Sequence, residues 1–289
     1  MSLGSGIGAG VPFNKLGGGA APFTPFFSTF ANGKEGWSLD RLVAGYSDPI
    51  LTIVRPSDSA TQDIYLDGNS IDQGAILSFV GAENAQVKTI YGQLGNYNLE
   101  QLTLSSQPLI AKAGVILLDG GKPCIEFDGI DDEFRNTAGY SINKSNVSSL
   151  MVSRSLETTS KRMQLRLGDG GGRQIYFNFS SNTNSVVGLA GGSGNSPTIL
   201  YSYTQTLNRQ LIDYFVASSV ARYGLDGLDV GNVGNQIGTD SLIVVGNWQS
   251  GTTYATKMNF QELILFDNAD RTSEKSAMRS NINSRYNIY

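Results

Sequence analysis

Short apolar runs separated by Gly, Asn, Asp and Ser recur along most of the chain. ILTIVRPSD (50–58) reads as a strand stopped at Pro56. TQDIYLDGNS alternates and ends at Asp67-Gly68, a hairpin-type turn signal. QVKTIYGQLG follows as another strand. GVILLDGGKPCIEFDG holds two apolar runs, 114–118 and 123–127, around Asp119-Gly120-Gly121, and so predicts a hairpin. Further strands are predicted at 148–155, 162–169, 173–181, 185–192, 198–205, 210–219, 221–230, 241–248 and 258–267. Turn residues separate them about every 8–14 residues, a rhythm of sandwiches and barrels rather than of β-α-β units.

Helical periodicity is confined to three places. WSLDRLVAGY (37–46) sets Leu39, Leu42 and Val43 near helical spacing and predicts a short helix or turn ending near Gly45. A second short helix is expected over Gly74 to Val80, N-capped by Asp72. The third is RTSEKSAMRSNINSRYNIY (271–289), with Thr272 or Ser273 as cap and Ala277, Met278 and Ile282 as a narrow apolar face. No repeat of fixed period is visible. The prediction is one all-β domain over 33–289.

Composition narrows the chemistry. Of the 289 residues, 40% are hydrophobic and 10% aromatic, enough for a sizeable core, while 16% are charged and 35 are glycine. The net charge of −4, with no basic stripe, speaks against nucleic-acid binding. One cysteine, Cys124, and no histidine exclude an intrachain disulfide, a Ser-His-Asp triad and any His general base, and they argue against zinc. Carboxylates are the common catalytic acids and bases that remain. No stretch is apolar for the roughly 20 residues a membrane helix needs, so no membrane insertion is expected. The N-terminus lacks the plan of a secretory signal, so work outside a cell would require another route, such as release by lysis within a particle.

Residues 1–32 are rich in Gly, Pro and Phe. The functional expectation is a flexible arm that orders on a partner, with Phe13, Phe23, Phe26, Phe27 and Phe30 as anchors. The alternative is a tail that packs on its own domain.

Several blocks carry a resemblance. WSLDRLVAGYSDPILTIVRPSDSATQDIYLDGNSIDQGAILSFVGAENAQVKTIYGQLGN (37–96) resembles the opening of the fungal α-L-arabinofuranosidase catalytic domain and, more closely, phage virion proteins that share that opening. IEFDGIDDEF (125–134) is similar to a core strand of laminin G-like and concanavalin A-like modules, and FQELILFDNADRTSEKSAMRSNINSRYNIY to their closing strand and terminal helix. VPFNKLGGG resembles the start of such phage proteins. The resemblance implies a concanavalin A-like jelly-roll sandwich of two antiparallel sheets with short helices. It implies a phage virion protein of the fibre, decoration or adhesin kind. Its partners would be other virion proteins and a host surface glycan, with self-association giving avidity at the virion surface. A stand-alone carbohydrate-binding module and a glycoside hydrolase are the alternatives.

A retaining glycosidase needs two carboxylates about 5–5.5 Å apart. Asp63, Asp67, Glu126, Asp128, Asp131, Asp132, Glu262 and Asp267 are available, and sequence does not pair them. The departures from the enzyme pattern count against catalysis. Where the resemblance implies a Y-D-Q-S-G turn, the chain reads YGQLG (91–95), with Gly92 in place of the aspartate. Where it implies a Gly-Gly-Asp-Asn-Ser loop, the chain reads GNWQS (246–250), with Trp248 at that place. The adjacent cysteine pair of those enzymes is missing. Glycan binding needs only aromatic platforms and a few directed hydrogen bonds, for which Trp248, Tyr254, Tyr91 and Tyr97 are the candidates. Asp128, Asp131 and Asp132 offer hard oxygen ligands that calcium would accept, or else serve as turn formers. No other cofactor is expected. GDGGGRQ (168–174) lacks a GK[ST] ending and reads as a turn.

Overall fold

The computed structural model describes residues 23–289 apart from 138, 158–162, 169–174, 180–184, 192–196, 205, 218–219, 235–238 and 248–254. The described strands form an all-β sandwich of two antiparallel layers. At the centre of the first lies the closing strand Lys257–Phe266. One of its edges pairs with Ile125–Asp128 and Glu35–Ser38, set end to end, and the other with Ser148–Ser155. Arg209–Ala217, Val220–Leu225 and Leu228–Gly234 continue the layer.

The second layer runs from Ala60–Ile64 through Leu51–Arg55, Ala85–Ile90, Leu99–Glu100, Phe134–Asn136, Ile243–Val245 and Leu165–Leu167 to Ile175–Phe179, Ser185–Gly191 and Pro197–Thr204. Leu109–Lys112 bonds to both Ala85–Ile90 and Ile125–Asp128 and joins the layers at one corner. Strand alternation sends Trp37, Met151, Tyr214 and Leu263 of the first layer inward against Ile53, Val87, Phe134 and Leu165 of the second, and these make the main core.

The other face of the first layer is also apolar and is covered by helices. Leu150, Val152, Leu211, Phe215, Ile264 and Phe266 pack under Met278, Ile282 and Tyr286 of the C-terminal helix Lys275–Tyr286. Those three recur at the i, i+4 spacing that places them on one side of a helix. Two arginines of the same helix reach into the sheet. Arg279 grips the fully buried Asp213 through two 2.8 Å bonds, and Arg285 grips the fully buried Glu262 at 2.5 and 2.6 Å. Such forked pairs fix register because a guanidinium matches a carboxylate only in a narrow range of orientations.

Five expectations are corrected. Of the helix or turn expected at 37–46, the turn forms, with the Tyr46 N–H on the Val43 carbonyl at 3.3 Å and Gly45 at φ 71°, but Trp37 belongs to a strand, Glu35–Ser38, because Trp37 and Leu39 point into the core. The hairpin at Asp119-Gly120-Gly121 forms, closing Leu118–Asp119 on Lys122–Pro123 with the Cys124 N–H on the Leu117 carbonyl, but it is short, and the flanking apolar runs beyond it pair with other strands. The single strand expected over 221–230 is a hairpin, turned at Asp226 (φ 48°) and Gly227 (φ 85°). Neither Thr272 nor Ser273 caps the last helix, which begins after Glu274.

The arm is the fifth. Phe26–Thr29 forms a helical turn, with Phe26 and Phe30 buried in the cluster beneath the C-terminal helix and Phe27 packed on its edge. Phe26 lies 4.7 Å from Phe30 and 6.3 Å from Phe266, centroid to centroid. These rings are anchored within the chain's own domain. Phe23 is half-buried, and Phe13 lies outside the described residues. The helix Gln73–Val80 forms as expected, with Asp72 accepting the Ala75 N–H at 2.8 Å.

Candidate functional site

The second layer turns a polar row away from the core. Register sets Asp63 beside Thr52, Thr52 beside Thr89, Thr89 beside Glu100, and Glu100 beside Arg135. Their sequence neighbours Ile53, Ile64, Ile90, Leu99 and Phe134 are fully buried on the inner face, so alternation fixes which side the polar groups take. Tyr91, two residues beyond Thr89, shares this face. The Thr52 hydroxyl lies 2.9 Å from the Tyr91 hydroxyl and donates to Asp63 Oδ1 at 2.6 Å, so the expected aromatic is held by its polar tip.

Beside the row lies a cleft of about 360 Å³ lined by Glu100, Gln101, Leu102, Glu133, Arg135, Asn136 and Thr137. Its walls are braced. Arg135 donates from Nε to Glu133 Oε1 at 2.7 Å and from Nη2 to Oε2 at 3.3 Å. Gln101 donates to the Glu133 carbonyl at 3.3 Å and accepts from the Thr103 N–H at 2.9 Å. The Asn136 amide donates to the Ser241 carbonyl at 3.0 Å, and Thr137 Oγ1 accepts from the Asn98 N–H at 3.3 Å. The Glu100 carboxylate makes no hydrogen bond or ion pair among the described residues, and Leu102 is 72% exposed. The sequence carried a signal for this wall that periodicity alone had not picked out: Glu133-Phe134-Arg135 alternates charge around a buried ring.

Tyr97 is placed differently from Tyr91. Its ring stands edge-on to Tyr140 (4.9 Å, 83°) with Lys34 Nζ 5.6 Å above it, and its carbonyl accepts the Trp37 indole N–H at 3.1 Å. It is part of the loop that closes the core. The hub of that loop is Glu35, which sequence reading missed. This fully buried carboxylate accepts from the N–H groups of Gly36, Leu94, Asn96 and Tyr97 at 3.0, 2.8, 2.8 and 3.0 Å. Burial still pushes its carboxyl above the ordinary value. It also explains Gly92: a Cβ there would sit 2.3 Å from Glu35 Cδ and 2.2 Å from the Tyr97 carbonyl oxygen. Trp248 and Tyr254 lie outside the described residues.

The remaining carboxylates separate by role. Asp128, Asp131 and Asp132 do converge, with one oxygen of each within 4.8 Å of the others. They brace their own turn and tie it to the neighbouring segment at Ser106. Asp128 Oδ1 accepts from Ile130 N at 2.7 Å, Asp132 Oδ2 from Asp128 N at 2.8 Å, and Asp131 Oδ2 from the Ser106 hydroxyl at 2.7 Å. Burial, with Asp128 and Asp131 alongside, raises the Asp132 carboxyl to about 7. Glu262 is consumed by Arg285, with Ser38 and Tyr286 also donating to Oε2 at 2.9 and 3.2 Å. Asp267 pairs with Lys34 at 3.2 Å. Asp67 is exposed, and Glu126 is half-buried on its strand. Cys124 is buried, which raises its thiol to about 12 and leaves it inert.

No family model matches the sequence, and no curated protein matches it either. Solved structures do match in fold. An arabinofuranosidase complexed with arabinofuranosyl-α-1,2-xylobiose superposes with a TM-score of 0.69 at 13% identity over 90% of this chain and 64% of that one. An α-L-arabinofuranosidase of glycoside hydrolase family 54 soaked with a cyclic sulfate inhibitor gives 0.66 at 13% identity, over 87% and 62%. The chain thus spans less than two thirds of these enzymes' length and shares their sandwich fold.

Proposed function

We propose that this chain is a glycan-binding sandwich that holds carbohydrate in the cleft between Glu100–Leu102 and Glu133–Thr137 and does not hydrolyse it. The composition of the cleft carries the reading. A carboxylate with no partner among the described residues, a guanidinium, side-chain amides and an exposed leucine meet on a braced β surface. Sugar rings present hydroxyls that both donate and accept, beside patches of C–H, and a rigid shallow surface of this mixed kind recognises them. Hydrolysis is the alternative, favoured by the likeness in fold to arabinofuranosidases. The engagement of Glu262 and Asp267 in ion pairs, and of the aspartate cluster in its own turn, supports binding instead.

Display on a phage particle is the finer part of the proposal. It rests on the resemblance of the opening residues, with the segment before residue 23 as the docking element, a host glycan as the target and a homo-oligomer giving avidity. A glycan array read with the full chain, beside an assay for release of 4-nitrophenol from aryl arabinofuranosides, tests the biochemical core of the reading. Binding without turnover is expected. Turnover, or a blank array, overturns it.

A further inference from the structure

We infer that the cleft selects uncharged glycans and rejects those bearing carboxylates, an inference that rests on the reading above. The cleft's charges carry it. Arg135 is the one cationic side chain among the described lining residues, and one edge of its guanidinium, Nε and Nη2, is already closed on Glu133. Strand register places Glu100 directly beside Arg135, and Glu100 has no partner among the described residues. Two carboxylates therefore face one guanidinium, and the lining carries a net negative charge.

The surroundings add to this. Asp131 bonds the Ser106 hydroxyl at 2.7 Å, and the Ser106 carbonyl accepts the Glu133 N–H at 3.4 Å, so the aspartate cluster borders the same wall. A sialic or uronic acid would reach only the outer edge of a guanidinium whose charge Glu133 already offsets, and it would lie against Glu100. A neutral sugar meets no such conflict: its hydroxyls donate to the open Glu100 oxygens while Leu102 covers a C–H face. Like charges brought together across an interface are a general means of rejecting wrong partners.

The experiment uses matched neutral and acidic oligosaccharides, such as asialo and sialylated lactosamines and xylo-oligosaccharides without and with glucuronic acid. They are titrated against the full chain and against Glu100→Gln. Neutral members are expected to bind at least about tenfold more tightly than their acidic partners, with the gap narrowing as salt rises because exposed charges are screened. Glu100→Gln, which keeps the shape and removes the charge, is expected to narrow the gap by raising affinity for the acidic member. Acidic members bound equally or more tightly overturn the inference and leave the glycan-binding reading standing. A gap unchanged in Glu100→Gln overturns the role given to Glu100. No binding by any member overturns both.

Discussion

Replacing Asp132 by Asn should stabilise the protein most in mild alkali and least in acid. Asp132 is 5% exposed, sits beside Asp128 and Asp131, and holds its proton up to about pH 7 against an ordinary value of 3.8. The folded state therefore binds a proton that the unfolded chain has released throughout that window. Stability from this group is complete below pH 3.8 and is lost as pH rises towards 7. At about 1.36 kcal/mol per pKa unit, the difference between 3.8 and about 7 sets a ceiling of about 4 kcal/mol on the loss. Asparagine keeps an oxygen to accept the Asp128 N–H, now at 2.8 Å, and cannot ionise. The assay is urea unfolding of wild type and variant from pH 4.5 to 8.5, followed by tryptophan fluorescence, to which the buried Trp37 contributes. Because other carboxylates titrate too, the quantity to plot is the difference between the two proteins. It should already be about 1 kcal/mol at pH 4.5, where an unfolded aspartate is mostly ionised, and grow to about 4 kcal/mol in favour of the variant by pH 8. A difference that stays flat with pH, or a variant weaker at pH 8, would refute the reasoning.

Three other perturbations address the frame around the site. Glu262→Gln leaves Arg285 buried without its counter-ion and should cost about 3–5 kcal/mol in urea unfolding, while glycan affinity per folded molecule stays unchanged. A drop in affinity with no loss of stability would place Glu262 at the ligand instead. Phe26→Ala should cost about 3–5 kcal/mol because the ring is fully buried, and unaltered unfolding would return this segment to the role of a partner-seeking arm. Gly92→Ala should lower the thermal midpoint measurably, since its Cβ would meet backbone oxygen at 2.2 Å, and an unchanged melt would mean that the Glu35 loop has room to move.

The sandwich was legible because its strands alternate and its turns carry Gly, Asn and Asp. The Asp72 cap was legible for a similar reason: capping is local chemistry written in adjacent residues. Errors arose where partners lie far apart in sequence. Glu262 looks like an ordinary strand glutamate until Arg285 folds back 23 residues later to meet it. Glu35 gives no local sign that it will gather N–H groups some 60 residues away. The Phe26 turn resembles flexible chain because the surface that buries it is built from Leu150, Phe266 and Met278. One error was local: Asp226-Gly227 is the same kind of turn signal read correctly at Asp67-Gly68. Of the tyrosines expected to bind ligand, Tyr91 stands on the polar face and Tyr97 is built into the closing loop, a difference set by contacts distant in sequence.

The central claim is that carbohydrate occupies the cleft at Glu100–Leu102 and Glu133–Thr137. The most direct test is calorimetric titration of an array-identified glycan into wild type and into the double variant Glu100→Ala/Leu102→Ser. Leu102 is 72% exposed, and the half-buried Glu100 carboxylate has no hydrogen-bond or ion-pair partner among the described residues, so the urea midpoint should hold. The account predicts affinity weakened at least about tenfold with unchanged stability. Equal affinity in the two proteins would contradict it and place the ligand elsewhere on the sandwich.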